Sequence, residues 1–278
     1  MRPESLAVLG LGAIGGAVAW QARLAGVPRV IGYSPDPSDG MLALKSAALT
    51  DLADSPARAV RNADLVVIAA PPLATLELLD RIAGWLPKGA MVTDVTSIKG
   101  PVVARAAAAG LAERFAGSHP LAGTHASGFG AARSDLMRGT IVYVTPAGPD
   151  PAPVREIMDF WSGTMEAEPV QVTATGHDEQ LAWTSHLPQA AAYALAAVLA
   201  RRKGVSFGTG ARDTTRLAAS SARLWTELFQ LNGAAILPAI EELERELAAM
   251  RQLIAGPDPE PLGRYLDQIR EFRRGLER

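Results

Sequence analysis

The sequence predicts an α/β protein: an N-terminal half built on a doubly wound parallel sheet, followed by an all-helical C-terminal half. Three observations carry this. Short apolar runs alternate with helical patterns from Leu6 to Thr173. The runs are continuously apolar, as strands buried on both faces are. After Thr173 no further strand pattern follows, and the apolar spacing becomes that of helices. The 278 residues suffice for two ordinary domains, so the expected division is residues 1–173 and 174–278.

Each element has its own signal. Leu6 to Leu9 is a short apolar strand ending in glycines, Ala13 to Ala25 a helix, and Arg29 to Tyr33 a second strand. Together they make a βαβ-sized unit of roughly 30 residues. "ADLVVIAAPP" is a buried strand stopped by two prolines. Leu73 to Trp85 reads as a helix, "AMVTDVTS" as a strand and Val102 to Phe115 as an Ala-rich helix. A short strand through "GSHP", the strand "GTIVYVTP", a helix from Pro153 to Trp161 and the strand "AEPVQVT" complete the half. Beyond it, "HDEQLAWTSHLPQAAAYALAAVLARR" is helix with a proline interruption. Ile236, Ile240, Leu243, Leu247 and Met250 recur at steps of four and three, a stripe for helix packing or a dimer seam.

Composition narrows the function. A net charge of −2 argues against nucleic acid or an anionic membrane as the main partner. The absence of cysteine excludes disulfides, thiolate metal ligands and cysteine nucleophiles, and fits a reducing compartment. The apolar start "LAVLGLGAIGGAVAW" is too short and glycine-rich for a membrane span. A soluble, cytoplasmic protein without a metal site is expected.

"LGLGAIGG" places Gly10, Gly12 and Gly15 as G-x-G-x-x-G between a strand and a helix, the context in which the pattern carries meaning. Gly10 allows a tight turn, Gly12 lets backbone approach a pyrophosphate, and Gly15 lets helix and strand pack closely. This is a Rossmann-type dinucleotide site. Contacts to the cofactor are expected from this turn, including Ala13 and Ile14. Further contacts are expected from Ala70 and Pro71 after the "LVVI" strand, from Ser97, and from Ser34 after the second strand. Ser34 stands where NAD enzymes usually carry an acidic residue. It suits a 2′-phosphate, but no arginine follows and Asp36 would repel one. NAD is the expected cofactor, with NADP left open.

The stretch "FAGSHPLAGTHASGFGAA" carries two of the four histidines, His119 and His125. Ligands of doubly wound sheets bind at the carboxyl ends of the strands, and His119 falls at such an end. The remaining histidines, His177 and His186, lie in "HDEQLAWTSHLP".

Five ordered words then stand out: the glycine turn, "DVTSIK" from Asp94, "GSHPLAG" from Gly117, "HDEQLAWTSHLP" from His177 and "RDTTR" from Arg212. Together they resemble the prephenate/arogenate dehydrogenase family of tyrosine synthesis, over nearly the whole chain to about residue 255. The resemblance implies oxidative decarboxylation of prephenate to 4-hydroxyphenylpyruvate, or of arogenate to tyrosine, with hydride passing to a nicotinamide. It implies His119 as the catalytic base, Ser97 as a hydrogen-bonding partner near it, and His186 as a second active-site histidine. Arg216 corresponds to the arginine that binds a substrate carboxylate. It also implies a homodimer through the helical half.

The residue types suit that chemistry. A neutral imidazole, with an unperturbed pKa of ~6.5, can take a hydroxyl proton near neutral pH. A guanidinium forks onto a carboxylate. His125 is expected to face either the substrate side chain or solvent, His177 to help start the first helix of the second half, and Asp94 and Lys99 to be structural. Two rivals are weaker. A β-hydroxyacid or 6-phosphogluconate-type dehydrogenase needs a lysine on that helix, and none lies between Lys99 and Lys203. A non-catalytic nucleotide-binding homologue would have no use for His119, Ser97, His186 and Arg216 together.

Overall fold

The computed structural model of the protein describes residues 2–122 and 127–276. Its first unit is β1 (Ser5–Leu9), α1 (Ala13–Leu24) and β2 (Arg29–Tyr33), as the sequence predicts to within a residue. Next come α2 (Pro37–Lys45), the edge strand β3 (Asp51–Leu52) and α3 (Pro56–Val60), which the apolar pattern does not reveal. Their signal lies in the caps. Asp36 accepts a hydrogen bond from the Ser38 N–H and Ser55 from the Arg58 N–H, each with a proline opening the helix. The half continues with β4 (Leu65–Ile68), α4 (Pro72–Ile82), β5 (Met91–Asp94) and α5 (Gly100–Ala108). It ends with β6 (Ala116–Pro120), β7 (Ile141–Pro146), α6 (Ala152–Gly163) and β8 (Glu168–Gln171).

Five strands form one parallel sheet in the order β3-β2-β1-β4-β5. Central β1 is buried along its whole length. Leu6 and Val8 pack on one face with Val18 and Ala22 of α1 and with Phe160 and Trp161 of α6. Ala7 and Leu9 pack on the other with Leu79 and Ile82 of α4 and Val102 of α5. Both faces are therefore covered, which is why these strands read as unbroken apolar runs.

Two expectations need correction. The strands do not all join one parallel sheet. β6, β7 and β8 make a second sheet in which β6 and β7 are antiparallel and β7 and β8 parallel. A parallel return requires a crossover, usually a helix. α6 supplies one between β7 and β8, and the described residues between β6 and β7 contain only a short 3₁₀ turn at Phe129–Ala131. The helix expected from Val102 to Phe115 ends at Ala108. Gly110 takes φ +76°, a left-handed conformation that stops a helix, and Phe115 is extended and bridges to Val92.

The C-terminal half is helical: α7 (Ala174–Leu181), α8 (Leu187–Ala200), α9 (Thr209–Thr215), α10 (Ala222–Leu231), α11 (Gly233–Ala255) and α12 (Glu260–Gly275). The expected proline interruption is a π turn, Ala182–His186, that leaves Pro188 in the first turn of α8, where its missing N–H costs nothing. The apolar stripe of α11 turns inward only at its start: Ile236 is buried, whereas Leu247 is 59% exposed. Two carboxylates dock this half onto the sheet domain. Asp178 accepts from the N–H groups of Lys99 (2.8 Å) and Gly100 (2.7 Å) at the start of α5, and Glu227 from that of Leu73 (3.0 Å) at the start of α4.

Candidate active site

A cleft of about 370 Å³ opens at the carboxyl ends of β1, β4 and β5, where the strand order reverses direction. Its floor is the glycine turn. Gly10 takes φ +104°, and a Cβ there would meet the Ala69 carbonyl oxygen at 2.2 Å. At Gly15 a Cβ would lie 2.0 Å from the Gly10 oxygen. At Gly12 a Cβ would meet nothing within 4 Å, so this position faces open space. Gly12 is also the N-cap of α1 and offers no side chain to the first-turn N–H groups. Those donors point where an anion would sit. The turn thus fits a pyrophosphate.

Of the residues expected to contact cofactor, Gly12, Ala13, Ile14 and Gly15 line the cleft at the turn. Ala70 and Pro71 line it after β4 and Ser97 after β5. Gly10 lies behind the wall, packed on Ala69. Ser34 lies outside this cleft, in an adjoining depression with Tyr33, Pro37 and Leu52. That depression is where the adenosine end of a dinucleotide would extend. There the Asp36 carboxylate caps α2 through Ser38, whose N–H and hydroxyl hold its pKa below the usual carboxylate value.

His119 forms part of the opposite wall with Pro120, Ala122 and, from α10, Leu224. Its strand is pinned from behind. Ser118 shares a hydrogen bond with Thr93 (2.7 Å) and accepts one from the Trp161 indole N–H (2.9 Å). The Ser118 carbonyl accepts from the Lys99 ammonium (2.6 Å), which is paired with Asp94 in full burial. The expectation that Asp94 and Lys99 are structural agrees with this arrangement.

The His119 ring does not hydrogen-bond to Ser97. Its Nδ1 lies 2.8 Å from Nε2 of His177, whose own Nδ1 lies 2.7 Å from Oδ1 of Asp178. His177 is buried, with Tyr143 edge-on to its ring. Burial, reinforced by His177, Lys99 and His186, holds the His119 pKa well below the ordinary 6.5. His119 is therefore neutral at pH 7. The sequence gives no hint that His177 and Asp178 reach this site beyond their adjacency, because the contact depends on how the two halves pack.

His186 sits one layer back, fully buried and edge-on to Trp225. Burial lowers its pKa to about 4, against a smaller opposing effect of Asp178. Asn232 Nδ2 donates to the Asp178 carbonyl (2.9 Å) and to His186 Nδ1 (3.0 Å). The proton of neutral His186 is therefore on Nε2, which is buried and has no partner among the described residues. Arg216 does not line the cleft; it is exposed, at the junction of α9 and a 3₁₀ turn, Arg216–Ala219. That segment is tied to α8 by Gln189 Nε2 to the Leu217 carbonyl (2.6 Å) and by the Tyr193 hydroxyl to the Ser220 carbonyl (3.1 Å). His125 lies outside the described residues.

The chain was compared with known proteins. Residues 18–167 match the family model described as "Prephenate dehydrogenase, nucleotide-binding domain", and residues 173–268 match "Prephenate dehydrogenase, dimerization domain". The first match starts beyond the glycine turn, so that motif rests on its own geometry. The prephenate dehydrogenase of Bacillus subtilis is 31% identical over 98% of this chain and 76% of its own. The cyclohexadienyl dehydrogenase of Zymomonas mobilis is 31% identical over 99% of this chain and 96% of its own. Among solved structures, the prephenate dehydrogenase from A. aeolicus in complex with hydroxyphenyl propionate and NAD+ superposes with a TM-score of 0.90. It has 27% identity over 98% of both chains. The Synechocystis arogenate dehydrogenase gives 0.83, at 26% identity over 98% of this chain and 99% of that one.

Proposed function

The chain belongs to the prephenate dehydrogenase family, and from that premise we propose how its cleft carries out NAD-dependent oxidative decarboxylation of prephenate to 4-hydroxyphenylpyruvate. The observation that carries the reading is a neutral histidine, His119, across one cleft from the open glycine turn at Gly12. The turn and the first N–H groups of α1 would hold the pyrophosphate, with Ala70, Pro71 and Ser97 along the nicotinamide side. Bound NAD+ supplies the hydride acceptor. The proposed division of labour is residues 1–173 for cofactor and 174–278 for substrate and dimerisation.

His119 Nε2 takes the proton of the ring hydroxyl while the carbinol carbon gives up hydride. The O–H electron pair becomes a carbonyl. The ring carboxylate then leaves as carbon dioxide, its bonding pair restores an aromatic ring, and the phenolate oxygen takes the proton back. Prephenate and NAD+ thus give 4-hydroxyphenylpyruvate, carbon dioxide and NADH with no net proton released. His119 only borrows the proton, so it must serve as base and then as acid. Ser97, which lines the same cleft, would orient the hydroxyl. The unpartnered Nε2–H of His186 gives a donor for a substrate oxygen once the pocket is filled. Arg216, exposed at the end of α9, is the residue proposed to bind a substrate carboxylate.

The likeness to a cyclohexadienyl dehydrogenase along its whole length supports a second reading, in which arogenate is also oxidised and gives tyrosine directly. Leu195, Val198 and Phe207 are exposed in the helical half, and the match to a dimerization domain covers them. They support a homodimer; that it works in the cytoplasm is part of the same proposal.

A spectrophotometric panel of prephenate and arogenate against NAD and NADP tests the assignment. The expected result is NADH formation with prephenate. His119→Asn should bind both substrates and lose a factor on the order of 10²–10⁴ in kcat. Turnover by this variant at the wild-type rate would remove His119 from the mechanism.

A further inference from the structure

We propose that His177 and Asp178 are positioning residues that fix His119 in the one tautomer able to act as base, and that they hold the borrowed proton's charge. This rests on the reading of His119 as the base. It follows from hydrogen-bond bookkeeping, beginning at the carboxylate.

Asp178 is an acceptor on both oxygens. Its Oδ2 takes the Gly100 N–H, and its Oδ1 takes the Lys99 N–H together with Nδ1 of His177. Asp178 offers acceptor oxygens to two backbone donors and to this ring, so the proton in the 2.7 Å contact is assigned to His177 Nδ1. With that proton on Nδ1, His177 presents Nε2 as an acceptor. That atom faces His119 Nδ1 at 2.8 Å, and a hydrogen bond there requires His119 to carry its proton on Nδ1. The lone pair of His119 is then on Nε2, the only other ring nitrogen. The same device operates when a buried aspartate orients a catalytic histidine through its Nδ1–H. Here an imidazole is interposed, and the carboxylate stands one ring farther back.

The interposed ring matters once His119 has taken the hydroxyl proton. The charged and titratable groups around it are Lys99, paired with Asp94, on the β5–α5 side and Tyr143 on β7. From the helical half come His177 and Asp178 on α7 and His186 in the π turn. Beside Lys99 an imidazolium at His119 is poorly placed. Passing the Nδ1 proton to His177 Nε2 puts the charge next to the Asp178 carboxylate instead. Two protons move together and none is lost: O–H breaks as Nε2–H forms on His119, and Nδ1–H breaks as Nε2–H forms on His177. The reverse shift returns the proton to the phenolate. Because Asp178 is held by the first turn of α5, the base is correctly set only when the helical half is docked.

Two measurements on the full-length protein test this. Histidine-selective ¹⁵N labelling, with the four histidines assigned by single substitutions, reads the tautomers directly at pH 7.5. The expected spectrum has both His119 and His177 protonated on Nδ1; a wild-type His119 protonated on Nε2 would overturn the proposal whatever the variants do. In kinetics, His177→Leu removes the acceptor. Its kcat should fall on the order of 10²-fold with KM for prephenate and NAD little changed. The acidic limb of its kcat/KM profile should shift, because the ring that faces His119 Nδ1 has gone. His177→Gln, whose Oε1 can accept the same Nδ1–H, should recover at least about tenfold of that loss. A His177→Leu enzyme with wild-type kcat and an unmoved acidic limb sinks the relay. If His119→Asn is inactive in that case, the base assignment stands and only the relay falls. If His119→Asn is itself active, the base assignment falls first.

Discussion

Gly12 separates what the fold needs from what a ligand needs. A Cβ there would meet no atom of the described residues within 4 Å, whereas one at Gly15 would meet the Gly10 carbonyl at 2.0 Å. Gly12→Val should therefore leave the urea midpoint within error of the wild type and raise KM for NAD by tenfold or more. Gly15→Ala should lower the midpoint, with the core-overpacking cost of ~1–3 kcal/mol as a floor. Equal loss of stability in both variants would contradict this reading of the turn. At this scale much of the site is legible in the sequence, because Gly12, Ser97 and His119 each sit in a short word whose role is local. His177 is not legible in the same way. Its ring meets a residue 58 positions away, and no spacing rule reaches that far. Arg216 is the opposite case: its word is plain, yet it is not among the residues that line the cleft.

The helices of the sheet domain begin without side-chain caps of their own at the two places where the helical half docks. Pro71 precedes α4 and Lys99 precedes α5, and neither caps its helix. Glu227 and Asp178 satisfy those N–H groups from across the molecule. Cap and domain interface are thus the same contact. Removing a helix cap typically costs about 0.5–2 kcal/mol, and Glu227→Ala should fall in that range by urea denaturation, with Glu227→Gln losing less. Because Leu224, one turn earlier on α10, lines the cleft, the alanine variant should also raise KM for substrate. A change in stability with unaltered kinetics would show that α10 keeps its place without the cap. The strands and long helices are legible because burial on both sheet faces, or on one helix face, writes itself into the pattern. α2 and α3 are marked only by Asp36-Pro37 and Ser55-Pro56, and the antiparallel turn of β7 only by the lack of a helical pattern before it.

For the molecule as a whole, the buried histidines between the halves set its response to acid. His186 has a folded-state pKa of about 4 against an ordinary value of 6.5, and that of His119 is lowered in the same way. Above pH 6.5 these rings are neutral whether the chain is folded or not, and they add no pH dependence. As pH falls from 6.5 toward 4, the unfolded chain takes up protons that the folded one refuses, so stability drops with each step. For His186 alone the loss reaches about 3 kcal/mol by pH 4, because each pH unit between the two values is worth roughly 1.4 kcal/mol. Carboxylates contribute to acid unfolding as well, so the test is a difference. Urea midpoints are measured at pH 7.5 and pH 4.5 for the wild type and His186→Gln, at one protein concentration, because the stability of a dimer depends on it. The wild type should lose more on acidification than the variant, which has no proton to take up at this position. Equal losses would mean that His186 is already protonated in the folded state. That outcome would also add a hydrogen at Nδ1, leaving the ring a charged donor near Asp178 within the helical half.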